Sequence, residues 1–268
     1  MTEQSTRRSV VVWLNKAVLW FARRWALVVG LVIGIYAAGP WVAPLAQRAG
    51  ATGIADALYT VYSPVCHQFT FRSWFIGGEQ AAYPRERANS PLGSFESYAD
   101  DEAFFLENVD DLSVLDGDLT IAARLFRGSE TMGYKTAICQ RDIAIYTALG
   151  LTAIGFAVAN RAGLKVPYLP FWAYILIALG PIGLDGFSQL FANPPFNGFG
   201  LPFYPIREST PFLRTLTGAL FGLGNGWLAF PYIEDSMRET QELVEQKLFK
   251  AGILSEEQLR VITPQDIA

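Results

Sequence analysis

The sequence predicts an all-α, polytopic integral membrane protein with about four transmembrane helices, an N-terminal interfacial helix and an extracytoplasmic insertion. Three observations predict it. Hydrophobic residues make up 51% of the chain and charged residues only 17%, at the edge of what soluble domains show. The apolar residues come in blocks, and the first, Ala26 to Leu45, has no charge. About 20 such residues at about 1.5 Å rise each cross a hydrocarbon core of about 30 Å. Basic residues gather at alternate ends of the blocks, as retention of Lys and Arg on the cytoplasmic side requires.

Each element follows in chain order. Residues 1–25 hold Arg7, Arg8, Lys16, Arg23 and Arg24 among Trp and Val. A basic, aromatic segment of this kind reads as a helix lying in the membrane interface. A cleaved signal peptide and a plain extension of the first span are the competing readings, and the span-length apolar run weighs against the first of them. The membrane domain covers 26–232, with spans at about 26–45, 143–159, 168–191 and 211–232. Arg161 and Lys165 then share a side with the N-terminal flank and with Arg238, Lys247 and Lys250. Both termini are expected in the cytoplasm, with residues 46–141 and 192–210 outside.

The outer segment is too long for a simple connection and must carry structure of its own. Its first part, residues 51–65, has helical spacing until Pro64. Residues 96–118 carry nine acidic side chains and no Lys or Arg, which marks a solvated excursion within an insertion at about 81–136. Asp116-Gly117-Asp118 lacks the spacing of a calcium loop. Residues 233–268 read as a cytoplasmic helical tail, and Ser255 to Gln258 as a capping box. Nothing in the pattern points to nucleic acid. Gly30 and Gly34 on the first span, and Gly218, Gly222 and Gly226 on the last, fall four apart, so each set shares one helix face on which another backbone can approach. Packing within the bundle or dimerisation would use them.

The topology also gathers charge at one level. Arg141 and Asp142 open the second span from outside, and Arg214 lies one turn inside the fourth. Asp185 comes about 17 residues, roughly 25 Å, into the third. Charges at that depth are costly unless paired or facing water. The expected pairs are Asp185 with Arg214, and Asp142 with Arg72 or Arg141, with Gln68, Tyr146 and Gln189 as hydrogen-bonding neighbours. Such a belt either staples the bundle or lines a pocket.

Cys66-His67-Gln68, Arg72-Ser73, Cys139-Gln-Arg141 leading into Ile145-Tyr146, Asp185-Gly186 with Gln189, and Arg214 with Thr217-Gly218 resemble the membrane-protein family called domain of unknown function 2085. The resemblance covers about residues 57–230. It implies a polytopic protein of a prokaryotic cytoplasmic membrane and supplies no activity. In that family a second cysteine stands where this chain has Asp142, and residues 81–136 look like an insertion.

His67 is the single histidine of the chain, and Cys66 and Cys139 its two cysteines. Three readings stay open: a Cys66–Cys139 disulfide in an oxidising compartment, a zinc or other metal site using Cys66, His67, Cys139 and Asp142, or free thiols beside a hydrogen-bonded histidine. No nucleophile, base and oxyanion arrangement is recognisable, so no catalytic residue is assigned. The function expected is that of a non-catalytic accessory or scaffold subunit, with the lipid bilayer and membrane-protein subunits as partners. The alternative is a small membrane enzyme, a redox or metal protein, or a transporter using the outer-leaflet polar pocket.

Overall fold

The computed structural model describes residues 3–193, 196 and 207–261, with side chains from residue 8 onward. The Arg7 side chain, most of the 192–210 connection and residues 262–268 of the tail lie outside what is described. Most of the chain is helical: α1 (Glu3–Ala22), α2 (Trp25–Arg48), α3 (Thr52–Tyr62), α4 (Phe95–Ala99), α5 (Ala103–Asn108), α6 (Gly117–Leu125), α7 (Gln140–Arg161), α8 (Phe171–Tyr174), α9 (Gly180–Ala192) and α10 (Pro211–Lys250). The all-α expectation needs one correction, because β1 (Ser73–Ile76), β2 (Gly128–Ser129) and β3 (Gly133–Cys139) form an antiparallel sheet in the order β1-β3-β2. Their aromatic and β-branched residues suit a pleated surface, and flanking glycines let the strands turn. Gly133 has φ 75°, and a Cβ on Gly78 would stand 2.0 Å from the Met132 carbonyl oxygen, so the two backbones meet where side chains would not fit.

Among the described residues three helices are long and apolar enough to cross a membrane: Trp25–Arg48, Gln140–Arg161 and Phe171–Ala192. The second is longer than its apolar run suggested, since Gln140, Arg141 and Asp142 form its first turn. The third is continuous through a π-helical turn at Ile175–Leu179, directly before Gly180 and Pro181. The weak point that this dipeptide marks is absorbed as an extra residue per turn, a common way to fit a proline without breaking a helix. The fourth expected span is the first half of α10. It is less apolar than the others because Arg214, Asn225 and several glycines lie on it. α10 also runs unbroken through Pro231, so the tail is not a separate helix up to Lys250.

α7 forms the centre of the bundle. A Cβ on Gly30 would lie 2.8 Å from Ile154 Cγ1, one on Gly218 2.5 Å from the Arg141 oxygen, one on Gly222 2.2 Å from the Ile145 oxygen, and one on Gly226 2.8 Å from Thr152 Cγ2. These small residues therefore admit α7 itself. Gly34 has open space along its own Cβ direction. Replacing Gly222 by Val is expected to push α7 from α10 and to cost about 1–3 kcal/mol as overpacking. Thermal unfolding of purified protein in detergent reads this, with Gly34→Ala as the silent comparison.

The insertion is folded. Phe71, Phe75, Tyr83, Phe95, Phe105, Leu119, Phe126 and Met132 are buried together in one core. Arg85 is buried there, bonding Glu96 at 2.5 Å and the carbonyls of Leu112 and Ser113 at 2.9 Å. Asp116 accepts from the Leu119 N–H as the N-cap of α6, a capping role in place of a calcium loop. At the other end of the molecule α1 lies on the tail: Leu19 packs on Val244 and Leu248, and Arg23 donates to Glu245 at 2.7 Å.

Candidate functional site

The residues expected in one polar pocket fall into two neighbouring groups, with His67 apart. The first group is built where the turn after α3 meets the end of β3. Cys66 and Cys139, both buried, place their sulfurs 2.8 Å apart. The ligand atoms of Cys66, Cys139 and Asp142 all lie within 4.8 Å of one another. Cys139 is the N-cap residue of α7 and its N–H donates to Cys66 Sγ at 3.1 Å. The hydrogen bond to Cys139 and burial push the Cys66 thiol up, while the same bond draws Cys139 down, so the pair gives up one proton more readily than two. His67 does not join them. It is exposed, with its ring tilted against that of Phe69 at 5.2 Å, so the four-residue metal set reduces to two sulfurs and one carboxylate. Adjacent residues on an extended turn point to opposite sides, which explains the separation of His67 from Cys66.

Gln68, at φ 58°, fixes this turn. Its side-chain amide donates to the carbonyls of Tyr59 and Ala137 at 2.8 and 2.7 Å. Below it, the fully buried Lys135 donates to the carbonyls of Gln68, Ala123 and Arg124 at 2.6, 2.9 and 2.8 Å. Burial lowers Lys135 from its ordinary value to about 7. Sequence reasoning missed Lys135, whose only signal was a lone cation in an otherwise apolar strand.

The second group joins the start of α7, the end of α9 and the start of α10. Asp185 is paired with Arg141 and with Arg207, the latter at 2.8 Å, and accepts from Ser209 Oγ at 2.8 Å. Arg214 pairs instead with Glu208 at 3.2 Å and donates to Gln189 Oε1 at 3.2 Å, while Arg72 stands 3.7 Å from Glu208. Both expected pairings are thus corrected: Arg141, in the first turn of α7, takes Asp185, and Asp142 faces the sulfurs instead of Arg72 or Arg141. Glu208 is buried and was not singled out; an acid six residues before Arg214, an arginine at the start of an apolar run, was the available signal. Tyr146 belongs with the first group, packed against the buried cluster that holds Cys66 and Cys139, its ring 4.7 Å from that of Tyr36 on α2.

Long apolar helices bundled around a paired-charge layer define an integral membrane protein. The family resemblance is borne out over part of the chain: residues 126–228 match the family described as "Predicted membrane protein (DUF2085)". That match contains Cys139, Arg141, Asp142, Asp185, Gln189 and Arg214, and begins after the Cys66-His67-Gln68 turn. No curated protein and no solved structure matches the chain.

Proposed function

We propose that this protein is a non-catalytic scaffold subunit that crosses the membrane four times, keeps both termini in the cytoplasm and presents the folded insertion outside. One observation carries the scaffold reading: Asp185 and Glu208 between them pair with Arg141, Arg207 and Arg214, so the charge layer joins helices to each other. Close approaches of Gly218, Gly222 and Gly226 to successive turns of α7 support the fourth crossing, because a helix parallel to a span along its length shares its depth. In this reading Cys66 and Cys139 close as a disulfide by exchange with a small disulfide of the outer compartment, which takes up both thiol protons and both electrons, and the bond clamps the insertion to α7.

Cysteines introduced at Asp100 and Glu239 test the topology: an impermeant maleimide on whole cells should label position 100 and spare 239, and the reverse pattern would overturn it. Crosslinking through position 100 in native membranes should give an adduct heavier than the chain and distinct from its dimer; a chain that stays alone ends the scaffold reading. The thiol–carboxylate cluster favours a second reading, a metal centre on Cys66, Cys139 and Asp142. Stoichiometric zinc that disappears in Asp142→Ala would establish it in place of the disulfide.

A further inference from the structure

At the end of the bundle opposite the charge layer, the start of α2, the end of α7 and the middle of α10 enclose a polar pocket of about 350 Å³. That is within the usual span of small-ligand sites, about 300–1,000 Å³. Five arginines line it: Arg23, Arg24, Arg161, Arg238 and Arg260. Their placement follows from the chain, since each stands where a helix leaves the apolar block or where the segment after α10 folds back. Two carboxylates accompany them. Glu234 holds the Trp25 indole at 2.8 Å and Arg238 at 3.4 Å. Glu245 lies beneath, bonded to Arg23 and to the backbone N–H groups of Arg260 and Val261 at 3.1 Å. Among the described residues Arg24, Arg161 and Arg260 have no carboxylate in ion-pair reach, and Arg24 lies over the Trp20 ring at 5.5 Å. Among the described residues the buried Nε of Arg23 has no hydrogen-bond partner.

A cavity with surplus guanidinium charge and an unused buried donor asks for an anion with several acceptor oxygens. Its depth narrows the choice. Trp25 is both a pocket residue and the first residue of a membrane-crossing helix, so the cavity opens where phosphate groups of lipids lie. The exposed Trp13, Trp20 and Phe21 of α1 supply an aromatic surface beside it that suits the same boundary. We propose that this pocket binds the phosphate of an anionic phospholipid headgroup and so ties α1, α7 and α10 together at the membrane surface. The inference rests on the chain lying in a membrane and is independent of the scaffold reading.

The test uses full-length protein purified in detergent, with phosphatidylglycerol, phosphatidylcholine and inorganic phosphate as probes. Native mass spectrometry should show retained phosphatidylglycerol, and lipid addition should raise the unfolding temperature, with phosphatidylcholine doing neither. Arg24→Gln with Arg161→Gln should weaken phosphatidylglycerol retention by about thirtyfold, the weight of two guanidinium contacts. The unfolding temperature without lipid should hold, and Arg8→Gln, an exposed change on α1, should bind as the wild type. Equal retention of both lipids, or a double variant that keeps phosphatidylglycerol, overturns the site. Protection by inorganic phosphate equal to that by phosphatidylglycerol overturns the lipid source in favour of a soluble phosphate.

Discussion

Asp185→Asn is expected to destabilise the protein by about 3 kcal/mol, at the lower end of the cost of breaking a buried ion pair. The asparagine keeps the shape but loses the charge that two guanidinium groups share. Arg141 is the costly partner, because its side chain is 22% exposed and its buried Nε already lacks a partner among the described residues. Arg207, at 35%, can turn to water, which keeps the loss from reaching the top of that range. Arg207→Gln should therefore cost under about 1 kcal/mol, as more exposed pairs do. Unfolding of the two variants in the same detergent checks the difference. Equal losses would mean that Arg141 and Asp185 do not form the central pair.

Lys135→Met is expected to cost about 2–4 kcal/mol. Each buried acceptor stripped of its donor costs about 1–3 kcal/mol, and the ammonium serves three carbonyls. The Ala123 oxygen keeps the Thr70 hydroxyl at 2.7 Å, so two carbonyls are left bare. Removing a desolvated charge returns part of the loss. The pH dependence separates these effects. Lys135 falls from 10.5 when unfolded to about 7 when folded, so between those values the unfolded chain holds a proton that the folded chain gives up. Stability then rises with pH across that window. The wild type should gain on the methionine variant between pH 7 and about pH 9, in chemical unfolding followed at both pH values; a constant gap would show that the ammonium stays charged.

Most of the helical frame was legible because its signals are local. A charge-free run of span length at Ala26–Leu45 needed no knowledge of neighbours. The capping box at Ser255 and Gln258 is present. What failed depended on partners far along the chain. β1 is four residues long and its partner β3 begins at Gly133, so no local period announces the pairing. The choice of Arg141 over Arg214 for Asp185 is set by how α7 and α9 are rotated, which depth alone does not give. His67 was placed with Cys66 because adjacency in sequence was taken for adjacency in space. The continuity of α10 was hidden by Pro231, a residue that usually argues for a break.

That continuity sets how far the helix reaches. Forty residues make a rod of about 60 Å, twice a hydrocarbon core of about 30 Å. One arm carries Arg214 at its tip and the other carries Val244 and Leu248 against α1. One unbroken rod therefore joins the surroundings of Glu208 to the α1 contact, with Gly218, Gly222 and Gly226 seated on α7 between them.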